Sequence, residues 1–104
     1  MKVKIGDYKN DISGKRKTKI KISHDDVFSL DCTLAIIIHK TLKEYKKYND
    51  GTPANFEEKE WNSILDKMIL AFKIMKKGDH IGTNYPEVNE GLELFCKYYR
   101  TLWI

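Results

Sequence analysis

The 104-residue chain lacks several features that would narrow its class. It has only two cysteines and no apolar run near the roughly 20 residues that cross a bilayer. Cys32 and Cys96 have no cysteine or histidine neighbour at zinc-site spacing, so we expect two reduced core thiols and no metal site. The opening MKVKIGDYKN lacks the apolar segment of a secretory signal. We therefore expect a cytoplasmic protein that does not enter a membrane.

Catalytic motifs are also missing. Gly78 and Gly82 lack the Lys-Ser/Thr context of a phosphate-binding loop, and no serine has a base evident from the sequence. His24, Asp25 and Asp26 offer metal-type ligands, but the only similar pair, Asp79-His80, falls in a predicted loop. The pair Glu57-x-x-Glu60 resembles the carboxylates of nucleotide pyrophosphohydrolases without a matching motif on the next helix. Helix capping and the helix dipole explain these acids better, so we expect no enzyme and no cofactor.

The composition that remains is that of one globular domain spanning residues 1–104. Hydrophobic residues make up 41% and charged residues 33% of the chain. The net charge of +4 is uneven, because residues 1–23 carry eight Lys/Arg against Asp7 and Asp11. Such a basic segment is typical of a nucleic-acid arm, but only Tyr8 lies there to stack on bases. We therefore favour a solvated basic hairpin over a nucleic-acid site.

Residues 1–23 alternate polar and apolar side chains in two short runs, Lys2–Ile5 and residues 17–22, which is the pattern of half-buried strands. Turn-forming residues 11–14 lie between the runs. This predicts a two-stranded antiparallel hairpin followed by a polar connector at residues 23–26. The strand residues expected to face inward are Val3, Ile5, Ile20 and Ile22.

Three helices are predicted at residues 29–48, 56–77 and 87–102, which gives a mainly α (α+β) fold with a three-helix bundle. The central helix is the most apolar, since residues 61–75 carry apolar side chains over most of its circumference. Ser29 is the expected N-cap of the first helix, Asn55 with Glu58 forms a capping box, and Gly78 ends the second helix. The first helix is expected to bury Leu30, Leu34, Ile37, Ile38, Leu42 and Tyr45. The last is expected to bury Val88, Leu92, Phe95, Cys96, Tyr99 and Leu102.

Three blocks carry a resemblance to known proteins: DVFSLDCTLAIII (26–38), WNSILDKMILAF (61–72) and GLELFCKYYRTLW (91–103). In order and spacing they resemble a recurrent family of small proteins encoded by tailed bacteriophages. Members of that family often carry Pro after the first apolar run, where this chain has His39. The resemblance implies a phage origin and a helical body. It carries over no catalytic residue.

A cluster of cations and aromatics near the C-terminus is the candidate ligand site. Such a cluster suits a planar, phosphorylated ligand, because the ring stacks and an arginine pairs with phosphate. Asp66 lies in an apolar segment and needs a partner, for which Lys97 or Arg100 is the candidate. A structural ion pair between helices is the alternative, and it is favoured. The candidate ligand-binding residues are Asp66, Lys97, Tyr98, Arg100, Trp103 and Trp61.

These observations lead to three functional hypotheses. The first is a phage accessory, anti-defence protein that binds and sequesters a nucleotide-derived host immune signal in the host cytoplasm. The second is a protein-interaction module acting through an aromatic surface, and the third is nucleic-acid binding through residues 1–23. Since so small a domain cannot hide all its aromatics, we also expect a homo-oligomer formed through a helix face, with two-fold symmetry.

Overall fold

A computed structural model describes residues 1–8, 15–48, 51–53, 56–78 and 85–103. The predicted fold class is confirmed: an antiparallel hairpin precedes a mainly helical body. The chain forms two compact units, residues 1–30 and residues 31–104. None of the helices in the described ranges combines the length and apolar character that a membrane crossing requires. The elements are β1 (Lys2–Ile5), β2 (Thr18–Lys21), α1 (His24–Phe28), α2 (Leu30–Tyr48), α3 (Glu58–Met75) and α4 (Pro86–Tyr98), followed by a 3₁₀ turn (Tyr99–Thr101).

The hairpin has the predicted strands but not the predicted burial. β1 pairs with β2 so that Val3 lies opposite Ile20, which places the alternating apolar residues on one face. Their exposed fractions nevertheless run from 43% for Val3 to 58% for Ile22, so the prediction that Val3, Ile5, Ile20 and Ile22 face inward is wrong. Alternation decides which side chains share a face, whereas burial needs a further layer packed on that face.

The polar connector predicted at residues 23–26 is instead the start of α1. The Asp26 carboxylate accepts hydrogen bonds from the Ser23 backbone N–H at 2.7 Å and the Ser23 hydroxyl at 3.0 Å. The N-terminal amine of Met1 also pairs with this carboxylate at 2.9 Å. The Ser23 N–H, and then the terminal amine, lower the pKa of Asp26. Ser29 is the C-cap of α1 and directly precedes α2, so it occupies the position predicted for the N-cap of the long helix.

Helix α3 forms the core, as the apolar pattern predicts. Trp61, Leu65 and Met68 are at most 1% exposed, and Phe72 and Met75 are buried beside them. The helix starts at Glu58 with Glu57 as N-cap, while the predicted cap Asn55 lies outside the described residues. It ends at Met75, and Gly78 follows with a φ of +77°, a left-handed conformation that glycine adopts without steric cost.

Helices α3 and α4 approach each other closely at Gly91. A Cβ placed there would lie 2.3 Å from the Ala71 Cβ and 2.4 Å from the Lys67 carbonyl oxygen. This contact fixes which face of α4 is buried, and Leu94, Phe95 and Tyr98 pack on the core with Val88 and Gly91. The predicted burial of Leu92, Cys96 and Tyr99 is therefore wrong, because all three are exposed. Cys96 is a surface thiol, and Cys32 is half-buried.

Helix α2 presents only part of the predicted stripe to the core, where the half-buried Ile38 and Tyr45 pack beside the buried residues. Its buried residues are Ala35, His39 and Leu42, whereas Leu30 and Leu34 are 43% and 44% exposed. The buried residues still have helical spacing, but two of the three are the small Ala35 and the polar His39 rather than large apolar residues. The predicted burial of Leu30 and Leu34 is thus wrong, while that of Leu42 is confirmed.

Candidate functional site

The predicted site residues Trp61 and Tyr98 meet, but they do so inside the core. The Tyr98 ring packs edge-on against Trp61 at a centroid distance of 5.8 Å, and Phe56 stacks on Trp61 at 5.7 Å. Trp61 is only 1% exposed and Tyr98 is half-buried. These rings hold α3 and α4 together, so the Trp61 ring offers no face to a ligand.

The Trp61 indole N–H faces the phenol of Tyr45 on α2. Burial raises the pKa of Tyr45, and the nearby indole N–H opposes this rise. Even so, Nε1 makes no hydrogen bond of acceptable geometry to any described residue. The Tyr45 hydroxyl itself donates toward the Trp103 backbone oxygen at 3.3 Å, which anchors the chain after the 3₁₀ turn.

Asp66 has a partner other than the two predicted. Its carboxylate pairs with Lys46 of α2 at 2.5 Å, and its side chain is 59% exposed. The prediction that Lys97 or Arg100 pairs with Asp66 is therefore wrong. Asp66 lies on the outer side of α3, where water solvates it and no buried partner is needed. The neighbouring Lys67 pairs with Glu90 of α4 at 2.7 Å, so both charges of this dipeptide link helices.

The remaining predicted site residues lie at the surface near the end of the chain. The Lys97 ammonium lies 5.3 Å from the centre of the Tyr98 ring. Arg100 is exposed in the 3₁₀ turn, and Trp103 is 74% exposed. The structure thus brings Trp61, Tyr98 and Lys97 together. Across the described residues, no ion pair or ring contact joins Asp66, Arg100 or Trp103 to that group.

A second site, which the sequence did not single out, lies between α2 and α3. His39 of α2 is 8% exposed, and its Nδ1 lies 3.2 Å from the Lys76 ammonium after the end of α3. Because a lysine ammonium can only donate, we assign Nδ1 as the acceptor and place the ring proton on Nε2. Burial lowers the pKa of His39, and the charges of Lys76, Lys43 and Lys73 lower it further. The imidazole is therefore neutral near pH 7.

This imidazole forms part of the wall of an open basic cleft of about 340 Å³. Three of the lining side chains are cations and only one is an anion, so the cleft attracts negatively charged ligands. None of its lysines pairs with a carboxylate in the described ranges. The lining residues are Ile36, His39, Lys40, Lys43, Glu44 and Lys76.

A weak sequence signal for this cleft does exist. His39 interrupts an apolar run, and it follows Ala35 by four positions and precedes Leu42 by three. This is the spacing of residues on the buried face of a helix. Lys40 and Lys43 follow on the adjoining side. Lys76 comes 37 positions later, however, and only the packing of the end of α3 against α2 brings it to this imidazole.

Two of the three residues in the alternative metal set at the start of α1 are solvated, and the third, Asp26, is occupied by Ser23 and the terminal amine. The His24 and Asp25 side chains are 84% and 102% exposed, with 3.9 Å between Nδ1 and the nearer carboxylate oxygen. No group of three or more metal-type ligands occurs in the described part of the chain. The second pair considered, Asp79-His80, lies outside the described residues. Comparison with protein-family models, with curated proteins and with solved structures finds no match to this chain.

Proposed function

We propose that the protein binds a phosphorylated, nucleotide-derived small molecule in the α2–α3 cleft and sequesters it without cleaving it. The observation that carries this proposal is the buried, neutral His39, which accepts from Lys76 at 3.2 Å, with Lys40 and Lys43 at the mouth of the same cleft. Lysines are effective point charges for phosphate. An anion between them also relieves the mutual repulsion of three cations that share the cleft with a single acid, Glu44.

The other side chains of the cleft suit the rest of such a ligand. With Nδ1 accepting from Lys76, the Nε2–H of His39 is a donor available to a phosphate oxygen. Glu44 accepts hydrogen bonds and thus suits a sugar hydroxyl, and Ile36 offers an apolar contact. The volume of about 340 Å³ falls within the range of small-molecule sites.

Sequestration is favoured over turnover by the chemistry of these groups. The lysines of the cleft bind and orient an anion, and burial lowers the pKa of His39 so that the imidazole is neutral, with its one proton assigned to Nε2 by the hydrogen bond from Lys76 to Nδ1. The resemblance to small tailed-phage proteins supports the biological side of the proposal. A phage protein that holds a nucleotide signal of host immunity would remove that signal from its receptor.

Isothermal titration of the full chain with ADP-ribose, cyclic dinucleotides and inorganic phosphate tests the proposal. We expect at least one nucleotide to bind more tightly than phosphate. Lys43→Ala should weaken that nucleotide by roughly ten- to a hundred-fold, the effect of losing one charge-assisted hydrogen bond. Lys59→Ala removes an exposed lysine elsewhere on α3 and should leave binding unchanged.

Two outcomes would contradict the proposal: no nucleotide of the panel binds, or both variants lose the same affinity. Recovery of unchanged nucleotide after incubation is the expected sign of sequestration.

A second candidate function rests on exposed aromatics beside an apolar cleft of about 320 Å³ between α2 and α4. Tyr99 lines this cleft and is 62% exposed, and Trp103 nearby in sequence is 74% exposed. Exposed aromatics next to an apolar groove are typical of protein-interaction surfaces. The second proposal is therefore a protein-interaction module, and it predicts that a partner protects Trp103 from fluorescence quenching by iodide.

A further inference from the structure

The register of the hairpin gathers four lysines on one face. Lys2 lies opposite Lys21 and Lys4 opposite Lys19, and residues two apart on a strand point to the same side. All four side chains are exposed, and they border a shallow depression of about 250 Å³. We call Lys2, Lys4, Lys19 and Lys21 the lysine face.

Pairing like charges directly across two strands destabilises the hairpin. No ion pair joins any lysine of this face to a carboxylate within residues 1–8 and 15–30. Among the described residues of the hairpin and α1, only water and salt compensate the cations of the lysine face. A partner that presents regularly spaced negative charges would stabilise this arrangement.

We propose that the lysine face binds the phosphate backbone of double-stranded nucleic acid without reading its sequence. Successive lysines on one strand are about 6.7 Å apart, and opposed pairs are separated by about 5 Å. Four charges thus fall within an area smaller than the groove of a duplex, which carries one phosphate per ~1.7 Å of axis. The major groove of B-DNA, about 12 Å wide, admits a two-stranded β-ribbon of this kind.

The chemistry of this face favours phosphates over bases and duplex over single strand. Lysines contact phosphates as point charges, and no Asn, Gln or Arg of the strands reaches this face to read a base edge. Single-strand binding relies on aromatic platforms. Tyr8, the described aromatic nearest in sequence to the lysine face, already has the Arg16 guanidinium 4.6 Å from its ring centre, and Arg16 Nε donates to the Gly6 carbonyl.

Fluorescence anisotropy of the full chain with a short labelled DNA duplex, read at several salt concentrations, tests this inference. Neutralising four phosphates predicts that log K falls with log salt at a slope of about −3.6. Lys4→Thr/Lys19→Thr removes one opposed pair and keeps β propensity, so the slope should lose about half its magnitude. Lys47→Ala/Lys59→Ala removes the same net charge from exposed positions of α2 and α3 and should leave the slope near its original value.

Three outcomes would overturn the inference. The first is no binding to the duplex at about 50 mM salt, where phosphate contacts are strongest. The second is an equal loss of slope in both double variants, which would trace binding to net charge alone. The third is binding to vesicles containing phosphatidylserine with no binding to the duplex, which would assign the lysine face to a membrane surface. Nucleotide binding in the α2–α3 cleft is measured separately, so either proposal can fail alone.

Discussion

The Nδ1 of His39 accepts a hydrogen bond from the Lys76 ammonium across 3.2 Å, although the imidazole is 8% exposed and three lysines act on its charge. A buried imidazole among cations is stable only while it is neutral, because a second positive charge would be both desolvated and repelled. This pair therefore links the folding of α2 onto α3 to the protonation of a single side chain.

The first prediction is a loss of stability in mild acid. The folded-state pKa of His39 lies below the ordinary value of about 6.5, so in this window the unfolded chain binds more protons than the folded one. Stability from this group is complete above about pH 6.5 and is lost as the pH falls through the lowered folded-state pKa. Urea unfolding from about pH 8 down to about pH 5 measures it.

The control for this experiment is a second histidine. His39→Gln should flatten the pH dependence of the unfolding free energy over this range, while His24→Gln should not, because the His24 side chain is 84% exposed. Identical pH profiles for the original chain and His39→Gln would contradict the assignment.

The second prediction concerns the contact at Gly91. Gly91→Ala should destabilise the protein by about 1–3 kcal/mol, because the new methyl group would overlap Ala71 and the Lys67 carbonyl and force α4 away from α3. Gly6→Ala is the matched control, since a Cβ there meets its nearest neighbour at 3.5 Å. Thermal unfolding should show a lower midpoint for the first variant alone, and equal midpoints would argue against the close approach.

Periodicity predicted the elements of this fold better than it predicted their faces. The apolar spacing of α3 identified Trp61, Leu65 and Met68 as core, because a helix so apolar has few alternative orientations. In α4 the buried face is decided by Gly91, because there is no room for a side chain where this helix meets α3. A glycine has no side chain, so it does not appear in an apolar stripe read from the sequence. In α2 the buried face includes the small Ala35 and the polar His39, and neither residue type marks a buried face in an apolar pattern.

The candidate sites show the same limit. The aromatic and cationic residues between positions 97 and 103 predicted a ligand cluster, but Tyr98 packs on Trp61 in the core. The α2–α3 cleft needs lysines of α2 and the lysine that caps the C-terminus of α3, and the pairing of Lys46 with Asp66 likewise depends on how those helices pack. Sequence spacing resolves neighbours within one helix, whereas these contacts are set by interhelical geometry.

The third prediction separates a structural from a functional role for Asp66. Asp66→Asn breaks an exposed ion pair with Lys46, so the unfolding free energy should fall by less than about 1 kcal/mol. Nucleotide binding in the α2–α3 cleft should be unchanged, because Asp66 does not line that cleft. Isothermal titration of the variant checks the second point. A folded variant that no longer binds nucleotide would return Asp66 to the ligand site.

The fourth prediction addresses self-association. If the apolar cleft of α2 and α4 meets a second copy, the mass measured by light scattering should rise with protein concentration. Tyr99→Ser/Trp103→Ser should then shift the mass toward that of one chain, since both aromatics are more than half exposed. Tyr48→Ser changes another aromatic with a 60% exposed side chain and should have no effect. A single-chain mass for the original protein at every concentration would exclude the expected oligomer.

The fifth prediction joins anion binding to the charge of His39. Besides burial, the positive charges of Lys76, Lys43 and Lys73 lower the pKa of His39, and an anion seated in the cleft offsets these charges. Bound sulfate should therefore raise the pKa of His39, and by linkage sulfate should bind more tightly as the pH falls from about 8 to about 5. Sulfate keeps its charge over this range, so the pH dependence of binding comes from the protein.

NMR titration of the imidazole Cε1 proton with and without sulfate measures the shift directly, and the exposed His24 supplies an internal reference. Equal shifts at both histidines would mean that sulfate acts through ionic strength, and a shift confined to His39 would locate the anion beside Lys76.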